Sequence, residues 1–304
     1  VGSKAGRSFA PIGRILRWGM RGRSPRWWMG RLVRNLLIWV ALAFALFPAL
    51  FVLGTSFGPT QSLSAARMIP LNPTTANYYT LLTNTAFPYW LRNTILVAGS
   101  TSILSVFLCA LGAYAFSRFR FTGRRPALLT MLLVQMFPQT LAMVAIYLLL
   151  FWLGGYIPWL GLNTHPGLIL VYLGGAMGFN TWFMKGYFDT IPRSLEESAM
   201  VDGASPFQAF VRIVLPLARP ILAVVFIIQF ITLYSEYLLA SVVLRGERMY
   251  TLAVGLHLFL GDQFRTRWGS FAAAAVLGAV LILVIFYALQ NQIVSGLTRG
   301  GVKE

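Results

Sequence analysis

The sequence predicts an all-α integral membrane protein with six transmembrane helices, and three observations carry that prediction. Apolar residues make up 57% of the 304 and charged residues 11%, against about 45–50% and about 25% in a soluble domain. Six apolar stretches are long enough to cross hydrocarbon. The basic residues that give the chain its net charge of +17 gather in alternate connectors, as they do when basic loops stay cytoplasmic.

Residues 1–34 read as a basic cytoplasmic tail, with nine Lys and Arg, no acid, and Trp18, Trp27 and Trp28 among them. Such a stretch suits anionic headgroups. The first span runs over 35–57, longer than the about 7–15 apolar residues of a signal-peptide core, and Pro48 inside it is tolerable in a membrane helix. An extracytoplasmic loop of 58–93, rich in Pro, Thr and Asn, leads to a transmembrane domain over 94–295. Its spans are expected at about 94–116, 127–153, 167–183, 221–244 and 268–294, followed by a cytoplasmic tail of 296–304. With both termini inside, 19 of the 25 Lys and Arg are cytoplasmic: the nine of the tail, Arg118, Arg120, Arg124, Arg125, Lys185, Arg193, Arg212, Arg219, Arg299 and Lys303. Six lie outside (Arg67, Arg92, Arg245, Arg248, Arg265, Arg267), four of them in the loop 245–267. The charge is therefore a topology signal, and bases spread over short loops do not make a nucleic-acid-binding face.

Several activities are excluded by what the chain lacks. A P-loop needs Gly before its phosphate-binding Lys, but Lys4, Lys185 and Lys303 follow Ser3, Met184 and Val302. His165 and His257 have no Cys or carboxylate cluster at metal-ligand spacing. No His lies in a span to serve as the base of an intramembrane protease. Cys109, the one cysteine, reads as a small buried hydrophobe. The only ionisable residue within the spans is Glu236, in Tyr234-Ser235-Glu236-Tyr237, read as an interfacial carboxylate or as a gate or pathway group. Gln135, Gln139, Asn180 and Gln229 suit a bundle interior or bonds between helices. A self-contained ion-coupled carrier is the alternative function.

The loop from Ile191 to Pro220 carries the functional signal. Ser194 followed three residues later by Glu197 predicts a capping box, and the short helix it opens ends at Gly203. Leu195, Ala199 and Met200 share one face of it. Ser205-Pro206 predicts a second helix start, with a cap and then proline at the first position. A short amphipathic helix of this kind suits a groove on a partner.

Glu197-Ser198-Ala199, then Gly203, then Ile213-Val214-Leu215-Pro216 resembles the EAA loop signature of ABC importer permeases, E-A-A-x3-G-x9-I-x-L-P, with Ser198 in place of the first alanine. The segments Tyr114–Arg118, Gln135–Pro138, Gly161–His165, Lys185–Phe188, Tyr250–Gly255 and Gly296–Lys303 resemble the six-helix permease subunit of the maltose/maltodextrin importer. The resemblance implies the type I ABC importer fold, with a cytoplasmic coupling helix, in a bacterial or archaeal inner membrane. It implies uptake of a di- or oligosaccharide, maltose/maltodextrin or trehalose-like. Its partners are a second, different permease subunit, a homodimer of ATPase subunits that binds the ATP and Mg, and an extracytoplasmic sugar-binding protein. This chain then holds no cofactor and catalyses nothing. Carried over by residue, the ATPase contacts are Glu196, Glu197, Ser198, Ala199, Asp202, Gly203, Ile213, Leu215 and Pro216, with Gly300, Gly301, Val302 and Lys303 in the tail. His257, Phe259, Gly261 and Asp262 fall on the loop that reaches into the binding protein.

Overall fold

The computed structural model describes residues 25–59, 66–260 and 267–300, and every regular element among them is helical. The chain divides into two compact units, 1–51 and 52–304.

Helix α1 spans Pro25–Ser56 and so starts well before the span expected from residue 35. Proline is well placed at a first helical turn, and the Arg and Trp residues that follow form helix readily, so loss of apolarity does not end it. Leu36, Trp39 and Phe44 are exposed, the surface that hydrocarbon solvates.

In the second unit, α2 (Ala76–Asn84) is tied to the chain before it by Asn77, whose amide donates to Ser56 O at 2.9 Å and Gly58 O at 2.8 Å. Helix α3 (Phe87–Arg118) is unbroken. Helices α4 (Arg124–Gln135) and α5 (Gln139–Tyr156) replace the single span expected over 127–153 and meet at 100°. The break falls at Met136-Phe137-Pro138, where proline has no amide to continue the ladder. Helix α6 (His165–Phe188) begins at Thr164, whose hydroxyl accepts from Gly167 N.

After two short helices, α7 (Ser194–Val201) and α8 (Pro206–Ala209), come a π-turn at Phe210–Val214 and α9 (Leu215–Leu217). Helix α10 (Arg219–Tyr234) lies at 74° to the 206–217 segment. It stops short of the expected 244, and α11 (Leu238–Val243) is separate. Two short pieces, α12 (Leu252–His257) and a 3-10 turn at Leu258–Leu260, precede α13 (Trp268–Gly300). Helix α13 thus runs past the expected start of a tail at 296. Among the described residues, four helices have spanning length and apolarity, or up to six if each bent pair is one span.

Helices α3, α6 and α10 form the middle of this unit, with α4 and α13 packed beside them. Small residues bring the backbones close: a Cβ on Gly178 of α6 would lie 2.5 Å from Met131 O of α4. Amides then bond across the gap, as expected in lipid where no water satisfies them. Gln135 donates to Gly175 O at 2.8 Å and accepts from Phe179 N at 3.0 Å, and Asn180 donates to Gln229 at 3.1 Å.

At the end of the unit that holds Phe87, the segment 244–252 is gripped by α3 and by the start of α6. Trp90 Nε1 donates to Glu247 O at 2.6 Å, and the Asn93 amide donates to Arg248 O at 2.8 Å and Tyr250 O at 3.0 Å. Thr94 accepts from Leu252 N at 2.7 Å. His165 bonds Met249 O at 2.9 Å, and Asn163, itself in the left-handed region, accepts from Arg245 N.

A Cβ on Gly255 would lie 2.1 Å from the buried Trp90 ring, whereas Gly186 faces open space. Gly255→Ala is therefore expected to destabilise the chain by about 2 kcal/mol, and Gly186→Ala to leave it unchanged or slightly more stable. Thermal unfolding in detergent compares the two.

Candidate functional site

The segment that carries the signature, 189–217, is built differently at its two starts. Helix α7 takes no cap from Ser194. Leu195 N bonds back to Pro192 O, and Glu196 N and Glu197 N to Arg193 O, so Arg193 stands at the cap position in helical conformation and no side chain caps the turn. Ser194 is already inside the helix, where its hydroxyl cannot reach forward to the amides a cap serves. The capping box lies instead at α8. Ser205 is extended and accepts from Gln208 N at 3.2 Å, and Gln208 Oε1 accepts from Ser205 N at 2.8 Å.

Between the two helices the chain turns at Gly203, φ +91°. Ala204 N donates to Ala199 O at 2.9 Å and Gly203 N to Met200 O at 3.1 Å, the paired bonds of a Schellman end. Beyond α8, the π-turn at Phe210–Val214 widens the backbone just before Pro216. That widening relieves the clash a proline ring makes with the carbonyl four residues back.

An ion pair fastens this segment to the foot of α3. Arg118 Nε lies 2.6 Å from Glu196 Oε1, with both side chains almost fully buried. The same guanidinium donates to Ser117 Oγ at 3.0 Å and Ile191 O at 3.0 Å. Tyr114, one turn earlier, donates to Glu196 Oε2 at 2.9 Å and lies 3.2 Å from Pro206 O. Its ring packs on the buried Phe210, centroids 4.7 Å apart. Arg193 donates to Ser117 O at 2.8 Å. The Ser117 hydroxyl donates to Asp189 at 2.6 Å, and Lys185 bonds the other Asp189 oxygen at 2.5 Å. Burial alone would push the Asp189 carboxyl up. The bonds from Lys185 and Ser117, with the charges of Lys185 and Arg124, outweigh burial and hold it below its ordinary value.

The signature residues divide accordingly. Glu196, expected among the ATPase contacts, turns inward: a carboxylate this buried needs a cation and donors, and Arg118 and Tyr114 supply them. Glu197 and Ser198 are exposed. Ala199, Asp202, Gly203 and Ile213 line one open cleft of about 470 Å³ with Ala204, Gln208, Ala209 and Arg212. The exposed apolar side chains beside it are Leu195, Met200, Val201 and Phe207, so the face expected from Leu195, Ala199 and Met200 points away from the bundle. Leu215 is half-buried and Pro216 exposed.

Arg118, Tyr114 and Asp189 are the residues that sequence reasoning missed. Tyr114 and Arg118 stand four apart on one helix face, a signal that neither the topology count of Arg118 nor the resemblance of the Tyr114–Arg118 segment turns into a site role.

At the other end, Glu236 sits in the break between α10 and α11. Its oxygens accept from Leu239 N at 2.7 Å and Ala240 N at 3.1 Å, and from the Tyr172 hydroxyl. The carboxylate thus satisfies the first amides of α11, which is why the expected fifth span is interrupted. His257 is exposed and its ring packs 4.8 Å from Tyr237. Phe259 is no loop tip, because it is buried against Trp90 with centroids 5.6 Å apart. Gly261 and Asp262 lie outside the described residues, as do Gly301, Val302 and Lys303, while Gly300 is the last residue of α13.

A helical membrane bundle with a signature-bearing loop is, as a class, the membrane-spanning component of a transporter. Residues 107–299 match the family described as "Binding-protein-dependent transport system inner membrane component", and the chain belongs to that family. It is a multi-pass, non-catalytic permease subunit that works with a binding protein. The chain is 46% identical over 282 residues to the maltose/maltodextrin transport system permease protein MalG of Vibrio vulnificus (strain YJ016), covering 88% of this chain and 94% of that one. To the protein of the same name from Escherichia coli (strain K12) it is 51% identical over 214 residues, 70% and 72% of the two chains. Its fold is that of a bacterial ABC transporter involved in the import of the acidic polysaccharide alginate, with a TM-score of 0.75 over 90% of this chain and 99% of that one, at 24% identity.

Arg118→Met strands the Glu196 carboxylate without a cation and is expected to open α7 locally by about 3 kcal/mol. Lys185→Met removes a partly exposed pair and costs less than about 1 kcal/mol. Hydrogen exchange of the 190–204 amides separates the two. Because folding lowers the Asp189 pKa, its contribution is present above the unfolded value of about 3.9 and fades as pH falls through the folded one. Exchange at 187–193 should therefore quicken only in acid, and Asp189→Asn should flatten that dependence.

Proposed function

We propose that the chain is one of two different permease subunits of an importer for maltose or maltodextrin, with both termini cytoplasmic. The observation that carries this reading is its 46% identity to a maltose/maltodextrin permease across 94% of that protein's length, a correspondence of nearly whole chains rather than of one motif. In this reading the α7–α8 segment is the coupling element, on the cytoplasmic side. Supporting it, the two ends of the signature converge on one cleft, flanked by exposed apolar side chains fit for a groove on another protein.

The cleft and Val201, Met200 and Phe207 seat in an ATPase subunit, and Glu197 meets a basic residue there. ATP and Mg are bound by the ATPase homodimer, and this chain supplies no ligand to them. Ser198, Asp202 and Gly203 shape the turn, while Ile213, Leu215 and Pro216 join it to α10. The end of α13, with Gly300, Gly301, Val302 and Lys303, reaches the ATPase as well. On the outer side, His257, Gly261 and Asp262 face the sugar-binding protein, with Phe259 holding that segment to the core from below. Glu236 serves the pathway as the cap that fixes the α10–α11 break.

Gly203→Val tests the coupling element. There is room for a side chain at Gly203 but no easy backbone for one. The strain, about 1–2 kcal/mol, misdirects the turn between α7 and α8. The variant is expected in the membrane at normal levels, with ATPase co-purification and ATP-driven uptake of labelled maltose reduced about five- to thirtyfold. Normal uptake would contradict the assignment.

A further inference from the structure

We propose that Arg118 is a positioning residue for transport: it joins the coupling helix α7 to α3, so that displacement of α7 displaces α3. The inference rests on the coupling role proposed above for the α7–α8 segment.

Two adjacent glutamates carry the first part of the argument. Glu197 faces outward, toward whatever pushes on α7. Glu196 faces inward onto Arg118 and Tyr114. Set about 100° apart on one turn of helix, the two give it a partner side beside a bundle side, and a load on one passes directly to the other.

The geometry of the guanidinium carries the second. Its donors go to three parts of the chain at once: Glu196 in α7, Ile191 O in the strand of backbone leading to α7, and Ser117 in α3. A planar fork held in three directions resists rotation as well as stretching, which a single point charge does not. Tyr114 adds a second bond to the same carboxylate and approaches the first residue of α8.

The third part is what lies at the far end. Helix α3 has no break, unlike the α4–α5 and α8–α10 pairs, which are sharply bent. From Arg118 to Trp90 it spans about 42 Å at the α-helical rise. At that end Trp90, Asn93 and Thr94 grip the backbone of 247–252, which leads into α12. One stiff element thus has hydrogen-bonded joints at both ends, and displacement of its foot carries the outer segment with it as a rigid body.

The test uses the whole importer, reconstituted in proteoliposomes with its ATPase, second permease and binding protein. It reads labelled maltose taken up per ATP hydrolysed. In the double variant R118M/E196M two apolar side chains replace the pair, which spares the fold the cost of a stranded charge but removes every bond the pair makes, leaving those of Arg193 to Ser117 O and Tyr114 to Pro206 O. Its melting temperature is expected to match the unaltered chain and its ATPase to co-purify, while sugar moved per ATP falls about tenfold. R118K, which keeps the charge and loses the fork, is expected to fall between.

Unaltered coupling in both variants would overturn the inference, because the joint would then be dispensable. Loss of ATPase binding in the stable double variant would overturn it too, making the pair a docking determinant. If the unaltered complex itself shows no ATP-driven uptake, the failure lies with the proposed function rather than with Arg118.

Discussion

The buried ion pair between Arg118 and Glu196 is the constraint on which the functional end of this protein depends. Neither charge is stable in its place alone. Each fixes the other, and through the remaining donors of the guanidinium and the Tyr114 hydroxyl they fix the backbone at Ile191, the start of α8 and the end of α3. The consequence is geometric: with Glu196 turned inward, Glu197, Val201 and the cleft around Gly203 must turn outward. The presentation of the surface proposed for coupling follows from where one carboxylate finds its counter-charge.

The same logic recurs through the membrane part of the second unit. Lipid offers no hydrogen bonds, so the amide and carboxylate side chains of the spans draw their partners from inside the chain, although the buried hydroxyls of Thr101, Ser102 and Tyr234 do not. Gln135, Asn180, Gln229, Asn93 and Glu236 all do so, and each does it across elements or at a helix break. Glycine permits the approach, as at Gly178 and Gly255. Polar glue and small residues therefore hold together a bundle that has little hydrophobic drive to assemble in hydrocarbon.

Much of this was legible in the residues. Apolar length located α3, α6 and α13, because a span must be long and apolar whatever it packs against. Ser205-Pro206 located the start of α8 within the signature-bearing segment, because cap chemistry is local. What was not legible depends on partners far away in sequence. Ser194 fits a capping pattern, but Pro192 and Arg193 begin the turn earlier and leave it no amide to serve. The signature singles out Glu197 but gives Glu196 beside it the same expected contact, and only the position of Arg118, in another helix, turns Glu196 inward. Phe259 reads as a loop residue until Trp90 is placed beneath it. The breaks at Pro138 and Glu236 lie within continuous apolar runs, and hydropathy does not register a missing amide or a capped one.

The central claim is that this chain moves sugar only as the coupled membrane subunit of an ATP-driven assembly. Uptake of labelled maltose into proteoliposomes, measured with the full set of partners and then with this chain alone under an ion gradient, tests it most directly. Uptake is expected to require the ATPase, ATP and the loaded binding protein together, with none from the chain alone. Gradient-driven uptake by the isolated chain, indifferent to ATP, would contradict it.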